Sequence, residues 1–81
     1  MITQRQKMQI KRQIASKHGL DANFVMLGHI ETVKSNIVVD GGKILIQVPF
    51  LHIKTKHTGT EIFKFYPPDL RRMPIMVNGG I

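Results

Sequence analysis

Four histidines, His18, His29, His52 and His57, and twelve lysines and arginines are the side chains in this chain best suited to reactive or ligand-binding chemistry. Histidine is the usual acid–base group near neutral pH and the commonest metal ligand. A metal site needs converging ligands, and here there is no cysteine and only five scattered carboxylates. His52 and His57, five apart in an extended stretch, fall on opposite parities and should not converge. No metal or other cofactor is therefore expected. Ser16 and Ser35, in a helix and a turn, lack any triad-like context.

The richest stretch is residues 50–66, FLHIKTKHTGTEIFKFY, which sets lysines and histidines among strand-forming residues. With Gly59 as the left-handed last residue of a three-residue loop, His57-Thr58-Gly59, Lys56 pairs with Thr60, Ile53 with Phe63 and Leu51 with Phe65. One face is then Leu51, Ile53, Phe63 and Phe65, and the other His52, Lys54, Lys56, Ile62, Lys64 and Tyr66. Ammonium groups release counterions from phosphates and a ring stacks on a base, so the second face suits nucleic acid. Lysine also keeps edge strands soluble, the plainer reading of the same residues. His52, Lys54, Lys64 and Tyr66 would further suffice for a metal-independent ribonuclease, with a base, an acid and a cation. Such sets arise freely in basic strands, so this reading ranks third and the chain is expected to be non-enzymatic.

Charge extends the argument to the whole chain, which carries +7. Residues 1–20 hold Arg5, Lys7, Lys11, Arg12 and Lys17 with no acid. Lys54, Lys56, Lys64, Arg71 and Arg72 meet only Glu61 and Asp69. A polyanionic partner is expected. The leading function is non-catalytic nucleic-acid binding of low sequence specificity, with RNA or single strands favoured. Lys54, Lys56, Lys64 and Tyr66 would make the contacts, helped by Lys7, Lys11 and Arg12 and by Arg71 and Arg72. The rival is a protein-interaction module docking on an acidic partner or on its own copies, through Met73, Ile75, Met76, Val77 and a loose helix seam.

These groups must be positioned by a single small domain, since 81 residues hold one core. Residues 1–20 read as a basic helix, with Thr3 as N-cap and Gly19 as C-cap. Ile10, Ile14, Ala15 and Met8 share its apolar arc, interrupted by Lys7 and Lys11, while Gln6, Gln9 and Gln13 lie opposite. Residues 24–66 read as antiparallel strands: FVMLGHIETV, with Gly28 as a bulge or close-approach point, then a hairpin turning at Gly41-Gly42. That turn would pair Val39 with Ile44 and Ile37 with Ile46. Pro49 is expected to bend the next strand, with a one-residue slip bringing Leu51 and Ile53 to the same core as Ile44, Ile46 and Val48. Residues 67–81 form a proline-bounded segment with room for a helical turn at Asp69 and a short terminal strand. The fold class is α+β: an N-terminal helix on a curved antiparallel meander of four or five strands, with closure into a small barrel as an open alternative. This order of a helix and short strands resembles Sm-like RNA-binding rings in architecture alone. No secretory signal and no membrane span is evident, so a cytoplasmic location is expected.

Overall fold

The structure, a computed structural model, describes residues 2–33, 44–66 and 71–77. Helix α1, Gln4–His18, forms between the two caps that the sequence marks. Thr3 Oγ1 accepts from the Gln6 N–H, and Gln6 Oε1 accepts from the Thr3 N–H, satisfying two first-turn donors reciprocally. Gly19, at φ 66°, ends the helix by donating to the Ala15 carbonyl. A single 3-10 turn, Ala22–Phe24, capped by Asp21, leads into the strands.

The strands are β1 (Val25–Leu27), β2 (Glu31–Thr32), β3 (Ile44–His52), β4 (His57–Phe65) and β5 (Ile75–Met76). All pair antiparallel, which makes the fold α+β. β3 is central, with β4 on one side and β1 and then β2 along the other, while β5 lies on the far side of β4. β1 and β5 do not pair, so the sheet is open and not a barrel. No helix among the described residues is long and apolar enough to cross a membrane.

Helix α1 covers one face of this sheet. Ile10, Ile14 and Ala15 pack against Val25, Ile46, Val48, Phe50, Phe63 and Phe65. Full burial of each large apolar side chain contributes roughly 1.5–3 kcal/mol, so this one face supplies most of the driving force. Alternation along β3 sends Ile46, Val48, Phe50 and His52 inward without a slip, and Leu51 falls on the outer face. The bend expected at Pro49 does not split the strand. The Pro49 carbonyl accepts from the Gly28 N–H, and both main-chain groups of a strand residue face the same edge. The missing Pro49 N–H therefore faces the β1–β2 edge and costs the β3–β4 ladder nothing. On that edge, four steps from Leu27 to Glu31 match three from Phe50 to Gln47, which is a one-residue bulge beginning at Gly28. A Cβ on Gly28 would approach Pro49 Cγ to 2.9 Å, so the expected bulge and close-approach roles coincide.

Two other expectations are corrected. The buried side of α1 includes Gln6, while Met8 is half exposed, so the helix is turned from the arc its aliphatic residues suggest. The reason lies in residues 72–76, which need hydrogen bonds that glutamine supplies. The turn at Gly41-Gly42 and the helical turn at Asp69 lie outside the described residues. Ile46, the partner expected for Ile37, has Thr32 and Phe63 as its two neighbours.

Candidate nucleic-acid interface

The hairpin that was expected to carry the site turns earlier than its glycine suggests. His52 pairs with His57, and the loop is residues 53–56, with Lys56 in the left-handed region at φ 62°. The turn is held by His52, whose Nδ1 accepts from the Thr55 N–H and bonds Thr55 Oγ1 at 2.8 Å. Gly59 sits inside β4, opposite Phe50, where a Cβ would approach the Phe50 ring to 2.9 Å. It is needed for packing and not for the turn.

The register redistributes the expected basic face. His52 is buried on the core side, where His57 is its cross-strand partner, so those two histidines share a face after all. With Nδ1 accepting, its proton is on Nε2, which is buried without a partner among the described residues. Lys54 lies in the turn with its ammonium 4.4 Å from the Phe24 ring centroid, and Lys56 is exposed in the same turn. Lys64 projects from the outer face, between Leu45 and Ile75. It is seven residues beyond His57, roughly 23 Å along the strand. The hairpin lysines therefore form no single patch, and the set His52, Lys54, Lys64 and Tyr66 does not share a face.

A different basic surface is assembled around α1. Arg5, Lys7 and Arg12 are exposed and Lys11 half exposed on the sides turned from the core. The Gln6 amide donates to the Arg72 carbonyl, and Gln13 donates to the Pro74 carbonyl at 2.7 Å while accepting from the Met76 N–H at 2.9 Å. These three bonds lay residues 72–76 along the helix. Arg5 and Arg12 then share a shallow cavity of about 310 Å³ with Met73. The Arg72 guanidinium lies 3.7 Å from the Tyr66 ring centroid, an attractive face-on contact. Exposed Arg71 adjoins Arg72 in the chain. Lys7 and Lys11 border a separate groove of about 630 Å³ between α1 and the β1 edge. The same tethers engage the segment expected to serve as a protein contact: Ile75 is exposed, but Met73, Met76 and Val77 are half buried.

One ionic cluster was not foreseen. Glu61 is buried on the core side of β4 and bridges Lys17 at 2.8 Å and His18 at 2.7 Å. Burial raises its carboxyl pKa, yet hydrogen bonds and charge from Lys17 and His18 prevail, leaving it below the ordinary 4.5. The His18 ring also lies 5.1 Å from His57 and 5.0 Å from Phe50. Its signal in the sequence is the parity of Glu61 with Phe63 and Phe65: an acid on an apolar strand face calls for a cationic partner. Lys17 thus belongs to the joint between helix and sheet, not to the open basic surface. No family model, curated protein or solved structure matches this chain.

Proposed function

We propose that the protein binds a polyanion, with cytoplasmic RNA or single-stranded nucleic acid as the favoured class, through the outward side of α1 and the adjoining Arg72. The observation that carries this reading is the tether of residues 72–76 to α1 by Gln6 and Gln13. It brings arginines from both ends of the sequence around one helix, and that helix has no acidic residue. Phosphate contacts from arginine and lysine give affinity with little sequence readout, and the exposed cations here are of that kind. The Arg72–Tyr66 pair adds a planar element beside them, suited to an unstacked base.

Fluorescence anisotropy with labelled single-stranded RNA across a salt series tests this reading. Arg5→Ala/Lys7→Ala/Lys11→Ala/Arg12→Ala should weaken binding and flatten the log–log salt slope by up to about 3, at roughly 0.7 per phosphate contact. Lys54→Ala/Lys56→Ala/Lys64→Ala should leave most of the binding in place. Absence of binding by the wild type at low salt would overturn the proposal, and loss only in the hairpin variant would return the site to the hairpin.

A further inference from the structure

We infer that the β1 edge, with the groove beside α1, receives an extended peptide of alternating acidic and apolar residues from a partner protein, added to the sheet as a further strand. The backbone carries the first part of the argument. Ile53 donates to the Phe24 carbonyl and Gly28 to the Pro49 carbonyl, which makes Met26 and Leu51 the exchanging pair between them. By the same alternation the Leu27 N–H and C=O face away from β3, toward the open edge. They have no partner among the described residues. An open edge of this kind is what strand addition uses for affinity, with alternate side chains giving specificity.

Side chains on the two faces of that edge set the partner's chemistry. On the α1 side lies the 630 Å³ groove, where Lys7 and Lys11 stand one helical turn apart beside His29. No carboxylate among the described residues lines it. A second hollow of about 320 Å³ is lined by Met26, Leu27, Gly28, Pro49, Phe50 and Leu51, of which Met26 and Leu51 pair on the outer face. Met26, which is 56 % exposed, borders both, and methionine adapts to varied apolar surfaces. A strand laid beside β1 sends alternate side chains to these two faces, so one set meets ammonium groups and the other a hydrocarbon surface. A nucleic acid would find only the His29 imidazole to stack on among the described residues of the groove, and an acyl chain would leave the backbone groups of Leu27 unused. From Gln4 to Lys11 the helix runs roughly 10.5 Å, enough for about three extended residues.

The experiment uses the full 15N-labelled chain and a short capped peptide alternating valine and glutamate. Titration should shift the amides of Met26, Leu27 and His29, and the Leu27 N–H should gain protection from hydrogen exchange. Lys7→Glu/Lys11→Glu should weaken binding at least about tenfold and admit a valine–lysine peptide instead. The same peptide N-methylated on the residues that face Leu27 should not bind. Equal binding of the N-methylated peptide, equal binding of the valine–lysine peptide by the wild type, or no shift at Leu27 at millimolar peptide would each overturn the inference. So would dilution-dependent shifts at Leu27 with a mass above 9.2 kDa, since a second copy would then occupy the edge. The outcome is independent of RNA binding, although Lys7 and Lys11 would serve both ligands.

Discussion

At the β5 edge of the sheet, the side-chain amide of Gln13 takes the place of another strand, accepting from Met76 N–H and donating to the Pro74 carbonyl. Gln6 continues the seam by donating to Arg72. At the β1 edge the same helix offers lysines and a methionine, the strand is three residues long, and a bulge interrupts it at Gly28. One edge is closed by hydrogen bonds from α1, and the other has no partner among the described residues. The difference teaches that a single helix has two unlike flanks: its glutamine flank holds residues 72–76 in place, and its cationic flank is the one to which we assign binding as a proposal.

The largest effect should come from breaking the closed edge. Gln6→Ala/Gln13→Ala removes half the capping box and leaves main-chain groups of Arg72, Pro74 and Met76 without partners. At about 1–3 kcal/mol for each buried group left unsatisfied, discounted for partial exposure, the pair should cost about 2–5 kcal/mol in chemical denaturation. A domain of this length has roughly 4–12 kcal/mol in total, so the double variant should be near its threshold for folding. Fast exchange of the Met76 amide would identify the edge as the cause.

The open edge is probed by proline. Met26→Pro deletes a donor to Leu51 and should cost about 1–3 kcal/mol, whereas Leu27→Pro deletes an N–H with no partner among the described residues and, beyond the packing loss read from Leu27→Ala, should cost less than about 1 kcal/mol. Equal losses at these adjacent positions would show that the edge is not open as described. Leu27→Pro should also abolish any strand added there.

How far this was legible in the sequence depends on how local each cause is. Both caps of α1 were readable because Thr3, Gln6 and Gly19 act within one turn of their own backbone. The helix face was misread because the burial of Gln6 follows from residues some sixty positions away. Gly59 misled the hairpin register for a similar reason: it accommodates the Phe50 ring, while the actual turn places a lysine in the left-handed region, an uncommon choice. Gly28 was read correctly because a glycine inside a strand-forming run is itself the local signal of a bulge or a close approach. The lysines of the site were identified as cations by type, but their grouping depended on the register and changed with it.

Between the two edges lies the joint of Glu61 with Lys17 and His18. Because the folded Glu61 pKa is below its ordinary value, its contribution is fully present above about pH 5. It fades as pH falls from there through the lower folded pKa. Glu61→Gln should therefore cost about 1 kcal/mol near neutral pH, a modest figure because Lys17 is 44 % exposed. The variant should also flatten the acid limb of a stability–pH curve. An unchanged acid limb would place the acid sensitivity elsewhere.

The smallest effect is the sharpest form of the comparison. Lys7 and Lys11 lie on the same turns of α1 as Gln6, Ile10 and Gln13, and lysine and glutamine have nearly equal helix propensity. Composition alone therefore gives no reason for Lys7→Ala/Lys11→Ala to differ from Gln6→Ala/Gln13→Ala. The fold gives one: among the described residues the lysine flank makes no hydrogen bond to the sheet, and alanine is a slightly better helix former. The lysine pair should change stability by less than about 0.5 kcal/mol in the same denaturation experiment that registers the glutamine pair strongly. A loss comparable to that of the glutamines would mean that the open flank is also structural, and the division of labour along α1 would fail. Near-neutral stability with loss of peptide or RNA affinity would separate the two flanks by function.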